Sequence, residues 1–234
     1  MAQHSVILRR IELADWRAVH SWASLAQVCR FQTWGPNTEE ETRAFVVAAV
    51  EAWSASPQQR FAYVARVEGD VVGMGELHLR SRGQRQGEIT YAVHPRVWGQ
   101  GVGTAIGKGL LVRGFEDLEL HRVHATCDPR NLGSARILGK LGMTWEGRHR
   151  HTALIRDGWR DSEVFSILED EWRALTPSRA HRTDESVSSR GVSSISLPQS
   201  PCLLVTVISV GRGASRTCGR SAWAGSGAAG QVRR

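Results

Sequence analysis

The stretch YAVHPRVWGQGVGTA, from Tyr91 to Ala105, decides the fold of this chain. An apolar strand pattern runs into a loop with glycines at positions 99, 101 and 103, and a helix pattern follows at once. Glycine permits positive φ angles and lets a ligand approach the backbone closely. The free N–H groups at the start of a helix, together with its dipole, attract anions. The stretch is therefore predicted to be a phosphate-binding loop, with a plain tight turn as the alternative.

The spacing separates this loop from two other phosphate-binding motifs. No Lys-Ser/Thr pair follows the glycines, so the stretch is not a Walker A loop. Its GxGxG spacing also differs from the GxGxxG of dinucleotide-binding folds.

Periodicity on both sides of the loop predicts one α+β domain with the element order βααβββαβαββ. Strands are predicted at Val6–Ile11, Phe61–Val67, Val71–Leu79, Gly87–Val93, 123–127, Met143–His151 and Glu163–Leu168. Helices are predicted at Asp15–Leu25, 38–53, Val102–Glu116 and Ser134–Leu141. Thr38 and Glu41 have the spacing of a capping box, and Glu68-Gly69-Asp70 is typical of a hairpin turn.

The composition divides the chain at about residue 176. Residues 177–234 contain 12 Ser and 7 Gly, and their 8 basic and 2 acidic residues supply +6 of the total net charge of +7. Such a segment buries too little apolar surface to offset its ordering entropy. We expect one folded domain over 1–176 and a disordered Ser/Gly/Arg-rich tail over 177–234. Out-of-frame translation at the end of the gene would explain the same tail.

Charge and cysteine content exclude several classes of function. Residues 1–176 hold 22 basic and 21 acidic residues, and this near-neutral balance argues against nucleic-acid binding. The four cysteines form no CxxC pair or Cys/His cluster, so no metal site is predicted. The longest apolar run, residues 202–210, is far shorter than the ~20 residues of a membrane span. A cytoplasmic protein without a membrane partner is expected.

The loop resembles motif A of the GNAT superfamily, Q/R-x-x-G-x-G/A, which binds the pyrophosphate of CoA. Gly101 and Gly103 fit its two small positions, and Trp98 stands where Gln or Arg is usual. The pattern P-x-x-W-G-x-G is similar to the branch that contains the ribosomal-protein alanine N-acetyltransferases. Further matches to that branch are LHRV at 120–123, NLGSARILGKLGM at 131–143, Gly147, Asp157-Gly158 and Asp161-Ser162. The resemblance covers roughly residues 5–175.

The resemblance implies the GNAT fold, a mixed and mostly antiparallel sheet flanked by helices. It implies acetyl-CoA as co-substrate, with pantetheine in a gap where the 87–93 strand splays away from the 121–127 strand. A backbone N–H near Val93 would face the oxyanion of the tetrahedral intermediate. The residues implied to contact CoA are Val93, Trp98, Gly99, Gln100, Gly101, Val102, Gly103, Thr104 and Asn131.

Two residues are predicted to be catalytic. Ser134 stands where related enzymes place a serine near the CoA sulfur, although a serine here would also cap a helix. Glu88 stands where several GNAT enzymes present a carboxylate as general base. Glu76 on the preceding strand is its rival, and either glutamate could be a solvated strand residue. Trp34 is a candidate for the wall of the acceptor pocket.

The expected function is transfer of acetyl from acetyl-CoA to a primary amine by direct attack in a ternary complex. The acceptor is a protein N-terminus or a small-molecule amine, and nucleic acid is not an expected partner. The expected oligomeric state is a monomer or a homodimer. The alternative is a non-catalytic acetyl-CoA-binding sensor or scaffold.

Overall fold

The structure, a computed structural model, describes residues 5–176. The predictions made for residues 177–234 lie outside the described residues, and the domain boundary at 176 stays a prediction. Within residues 5–176, no helix is both long enough and apolar enough to cross a membrane.

The described residues form seven strands and six α-helices. The strands are β1 (Ile7–Arg10), β2 (Arg60–Val67), β3 (Asp70–Ser81), β4 (Gln86–Val93), β5 (Arg122–Cys127), β6 (Thr144–Ile155) and β7 (Gly158–Leu168). The helices are α1 (Trp16–Ala23), α2 (Ala26–Cys29), α3 (Glu39–Glu51), α4 (Val102–Val112), α5 (Leu132–Lys140) and α6 (Glu169–Leu175).

The strands form one sheet in the order β1-β2-β3-β4-β5-β7-β6. Every neighbouring pair is antiparallel except β4 and β5, which run parallel. The predicted mixed, mostly antiparallel sheet is therefore confirmed.

Each face of the sheet carries its own hydrophobic core. On one face, Leu77 and Ile89 pack with Ile106 and Leu110 of α4 in a core that extends to α5. On the other face, Ala62, Val64 and Met74 pack with Val19, Trp22 and Val46 of α1 and α3. Side chains alternate along β3 and β4, so neighbouring residues on either strand belong to opposite faces.

The predicted turn and cap are both present. The Thr38 hydroxyl accepts from the Glu41 N–H at 3.1 Å, and the Glu41 carboxylate accepts from the Thr38 N–H at 2.9 Å. The turn between β2 and β3 lies at Glu68 and Gly69, both with positive φ.

Three elements differ from the predicted ones. The helix expected over Asp15–Leu25 ends at Ala23, where the Ser24 hydroxyl bonds to the His20 carbonyl at 2.8 Å, and α2 follows separately. The hairpin of β6 and β7 extends its pairing out to Ile155 and Gly158, well beyond the predicted strands. Helix α6 was not predicted; its Trp172 stacks on Phe115 with ring centroids 5.7 Å apart.

Candidate active site

The glycine loop leads into α4 through left-handed backbone. Gly99 and Gly101 have φ of 76° and 83°, and Gly101 caps the helix. The first helical bond runs from the Ala105 N–H to the Gly101 carbonyl at 3.0 Å. The N–H groups of the first turn, at Val102, Gly103 and Thr104, therefore have no acceptor within the helix. They form a positive end suited to an anionic group.

Two polar side chains of the loop bond to nearby backbone, and a helix packs against its third glycine. The Trp98 indole N–H donates to the Val93 carbonyl at 2.8 Å, and the Gln100 amide donates to the Arg96 carbonyl at 3.1 Å. A Cβ on Gly103 would lie 2.7 Å from Cδ1 of Ile137 in α5, so α4 and α5 are in close contact at this glycine. Since these two polar side chains bond to nearby backbone carbonyls, the groups of the loop best suited to an anion are its backbone N–H groups.

Strands β4 and β5 separate where the resemblance predicted a splay. Their pairing covers only Gln86–Glu88 against Arg122–His124, although β4 continues to Val93 and β5 to Cys127. The His94 N–H bonds to the Val72 carbonyl on β3 at 2.8 Å, so alternation turns the N–H of Val93 toward β5. The predicted splay is confirmed.

A cavity of about 330 Å³ lies between the separated strands and the loop that follows α2. Its lining includes Phe31, Gln32, Thr33, Trp34, Phe45, Glu76, His78, Glu88, Ile89, Thr90, Tyr91, Ala125, Thr126, Cys127, Asp128, Asn131, Ser134, Leu138 and Arg160. The structure thus brings Ser134, Glu88 and Asn131 together with the rival Glu76, and Trp34 lies in the wall. The predicted CoA contacts Val93 and 98–104 are not part of this lining.

Ser134 bonds to a tyrosine that sequence reasoning did not single out. The Tyr91 and Ser134 hydroxyls are 2.9 Å apart, and the Asn131 side chain caps α5 by accepting from the Ser134 N–H at 3.0 Å. The Asn131 side chain therefore caps the helix, and the Ser134 hydroxyl takes no part in the cap. Burial raises the pKa of Tyr91 to about 12, against the opposing effect of its hydrogen bond to Ser134. Tyr91 stays protonated at neutral pH.

Glu88 lies at the point where the two strands part. Its Oε2 accepts from Nε of Arg80 at 2.6 Å and also from the Nη2 group of that guanidinium. His124 Nε2 is 3.9 Å from the same oxygen, and burial lowers the pKa of His124 despite the nearby Glu88 charge. This carboxylate oxygen is held by a full positive charge.

Glu76 is buried, with both carboxylate oxygens in hydrogen bonds. Oε1 accepts from Nε and Nη2 of Arg60 at 3.0 and 2.5 Å, and Oε2 is 3.1 Å from Nε2 of His78. Burial alone would raise the pKa of Glu76, but the bonds and charges of His78 and Arg60 together lower it. Glu76 is therefore ionised at neutral pH. His78 was also missed by sequence reasoning, because only the folded sheet shows its contact with Glu76.

The polar groups lie on opposite faces of the sheet. Glu76 and His78 share the α1–α3 face with Met74, and Arg60 lies over the Phe45 ring of α3 at 4.9 Å. Tyr91 lies on the α4–α5 face, where it reaches Ser134. A reactive group in the gap would have proton acceptors on one face and hydroxyls on the other.

The buried thiol in the cavity is not a nucleophile. Burial, helped by the charge of Glu163, raises the pKa of Cys127 to about 11. The reactive form of cysteine is the thiolate, so Cys127 stays inert at neutral pH. An acyl-cysteine intermediate at this residue is not favoured.

An anion-binding helix start beside an open gap fits a donor with phosphates at one end and a reactive carbonyl at the other. Acyl-CoA has this shape, and the fold and site define the class of CoA-dependent acyltransferases. Residues 5–144 match the acetyltransferase (GNAT) domain family. The chain belongs to that family, and it is an N-acetyltransferase.

Three relatives illustrate the range of the family. The chain is 29% identical to YnaD of Bacillus subtilis, an uncharacterized N-acetyltransferase, over 71% of this chain and 95% of YnaD. It is 28% identical to the spermidine N(1)-acetyltransferase of Escherichia coli, over 73% of this chain and 90% of the relative. Among solved structures, RimJ of Mycobacterium smegmatis in complex with CoA-disulfide has 25% identity and a TM-score of 0.62, covering 71% of this chain and 83% of RimJ. The predicted family is confirmed.

Proposed function

We propose that this chain transfers the acetyl group of acetyl-CoA to a protonated primary amine, by direct attack in a ternary complex. The observation that carries the proposal is the cavity between β4 and β5, which has Glu76, His78 and Glu88 on one side and Ser134 on the other. Both reactants meet in this one cavity, and no thiolate nucleophile competes there.

The donor is held by the parts of the site that surround the gap. Its pyrophosphate binds at the N–H groups that open α4, and its pantetheine arm lies between β4 and β5. The Val93 N–H donates to the oxyanion as the carbonyl becomes tetrahedral, where such a donor is worth about 3 kcal/mol. Asn131, at the start of α5, borders the same gap.

The reaction requires two proton transfers from the amine. The ammonium first loses one proton to a base, and the neutral nitrogen attacks the thioester carbon. The C–S bond then breaks, the nitrogen gives up its second proton, and the departing thiolate takes up one proton. The products are the N-acetyl amine, CoA thiol and one proton released to solvent. Glu88 as the base and Ser134 as the donor to the thiolate are the two assignments predicted from the sequence.

Tyr91 supports the proposed role of Ser134. Either hydroxyl of this pair can be the donor, and when Tyr91 donates to the Ser134 Oγ, the Ser134 proton is free to point toward the gap. Because Tyr91 stays protonated, it can keep this donation throughout the reaction. Ser134 is then oriented to donate to the departing sulfur.

The lining favours a cationic acceptor. Three carboxylates, those of Glu76, Glu88 and Asp128, line the cavity, and each is paired with an arginine outside that lining but keeps lone pairs that can accept from an ammonium. Carboxylates attract an ammonium group and orient its proton toward a base. Polyamines and peptide N-termini both present such a group, and the named activity of the Escherichia coli relative makes polyamines the first acceptors to test.

The test is a thiol-release assay with acetyl-CoA against polyamines, monoamines and N-terminal peptides. We expect release of CoA only with an amine present, and faster with polycationic than with monocationic amines. Binding of acetyl-CoA without release for any amine would support the sensor or scaffold instead. Hydrolysis independent of the amine would contradict direct attack.

A further inference from the structure

We propose that His78, oriented by Glu76, is the group that takes the proton from the acceptor ammonium. The inference rests on the proposed function and names a proton acceptor different from the predicted Glu88. It is carried by the hydrogen bond of His78 to Glu76 and by the place of His78 in the cavity wall.

The contact with Glu76 fixes which imidazole nitrogen carries the hydrogen. An ionised carboxylate accepts hydrogen bonds and cannot donate them. Nε2 of His78, 3.1 Å from Oε2 of Glu76, must therefore be the N–H that donates. In the neutral imidazole the other nitrogen, Nδ1, then holds the lone pair. In a Ser-His-Asp triad, too, a carboxylate accepts from one imidazole N–H and leaves the other nitrogen to act as the base.

Arg60 keeps Glu76 in this orienting role. Its guanidinium occupies Oε1 at 3.0 and 2.5 Å, so only Oε2 faces His78. The buried Glu76 carboxylate, paired with Arg60 through Oε1, holds the imidazole through Oε2. The His78 side chain is 24% exposed, compared with 11% for Glu76.

Charged or titratable groups on four strands lie around His78, and Asp128 and Arg160 line the same cavity. Its cross-strand neighbours are Arg60 on β2 and Glu88 on β4, and Glu76 lies two residues before it on β3. Arg80 and His124 lie on the far side of Glu88. The cavity residues from α3 and the loop before it carry no charge: Phe31, Gln32, Thr33, Trp34 and Phe45. In this proposal the ammonium approaches the imidazole along that uncharged wall.

Glu88 is a weaker candidate because Arg80 donates two hydrogen bonds to its Oε2. To take the proton of the ammonium at that oxygen, Glu88 would have to give up charge-assisted hydrogen bonds to the guanidinium. Histidine is the side chain that most often serves as a general base in enzymes.

The proton balance is simple. The N–H bond of the ammonium breaks, its electron pair stays on nitrogen, and the proton binds Nδ1 of His78. The resulting imidazolium is stabilised by the Glu76 carboxylate. After acetyl transfer the imidazolium releases the proton to solvent, so no further reactant is needed.

The test compares His78→Gln and Glu88→Gln with wild type in the full chain, with His149→Gln on the exposed face of β6 as the matched control. For a strongly basic amine, His78→Gln should lower kcat/KM about a hundredfold at neutral pH, and acetyl-CoA affinity by calorimetry should not change. The acidic limb of the kcat/KM profile should move up to the pKa of the amine itself, because only free amine can then react. With amines that are already neutral, kcat/KM of His78→Gln should fall little. A purely structural role of His78 would lower it for every amine.

His78→Ala with added imidazole is the second variant, since a free base in the vacated space should restore part of the rate. Two results would overturn the inference and leave the proposed function standing. One is an active wild type with the same rate and the same acidic limb of the pH profile in His78→Gln. The other is loss of that acidic limb in Glu88→Gln instead. If wild type releases no CoA with any amine, the proposed function fails and the inference fails with it.

Discussion

Gly101 has φ of 83° at the start of α4, in open space with no heavy atom within 4 Å of a Cβ added there. A side chain in this left-handed region costs about 1–3 kcal/mol, and a β-branched residue is the least tolerant. Gly101→Val should therefore distort the loop without disturbing the core, and weaken acetyl-CoA binding roughly tenfold or more. Gly103 is a poorer choice because a Cβ there would contact Ile137.

Calorimetry with acetyl-CoA checks this prediction. The matched control is Gly83→Val in the exposed turn between β3 and β4, where space is open and φ is not positive. Equal affinity in Gly101→Val and wild type would show that the loop does not hold the pyrophosphate.

At Ser134 the structure separates chemistry from capping. Because the Asn131 side chain makes the cap, Ser134→Ala should leave the thermal midpoint nearly unchanged and lower kcat by roughly ten- to a thousandfold. Asn131→Ala should show the opposite signature, a loss of about 1 kcal/mol of stability. Tyr91→Phe should lower kcat less than Ser134→Ala, and the double variant should match Ser134→Ala alone. Additive losses would mean that Tyr91 does not act through Ser134.

Between elements, the turn of the β6–β7 hairpin holds one wall of the cavity. The Arg156 guanidinium donates to the carbonyls of Cys29, Trp34 and Gly35, in and after α2, at 3.1 Å for Trp34. Beside it, Arg130 bonds to Asp157 at 2.7 Å.

Arg156→Ala should therefore loosen the acceptor wall and leave the donor site intact. We expect the KM of the amine to rise several-fold, with the KM of acetyl-CoA unchanged. Arg150→Ala, at an exposed position of β6, is the control. Steady-state kinetics with each substrate varied in turn gives both constants, and a parallel rise of both would contradict a role confined to the acceptor side.

How far sequence predicts such elements depends on what stabilises them. The loop, the capping box and the central strands follow from local signals, and they were predicted close to their actual bounds. Strand β6 was predicted only as far as His151; it is almost wholly exposed and held by its ladder to β7, so burial does not mark how far it continues. Helix α6 is short, and its Trp172 is anchored by Phe115 across the fold. The Tyr91–Ser134 and His78–Glu76 contacts likewise join residues that only the folded chain brings together.

At the scale of the whole molecule, the site lies where the sheet changes from antiparallel to parallel pairing. Strand β3 pairs with β4 along the full length of β4, whereas β5 pairs with it at only three residue positions. The backbone groups freed on this side are those that the proposed function assigns to the donor. The two helical layers place different side chains on the two faces of the gap. Cytoplasmic location and a monomeric or homodimeric state stay predictions.

Two truncations test where the folded domain ends. Residues 5–176 contain both cores and the cavity, and the match to YnaD uses 95% of that relative but only 71% of this chain. Ending the chain after Thr176 should therefore leave the thermal midpoint and thiol release nearly unchanged. Ending it after Leu168 also removes Trp172, which is 5% exposed and stacked on Phe115, so this form should lose about 3–5 kcal/mol of stability. Thermal melts and thiol-release rates of the two forms beside the full chain make the comparison. A large loss in the longer form would show that residues 177–234 contribute to folding or to the site.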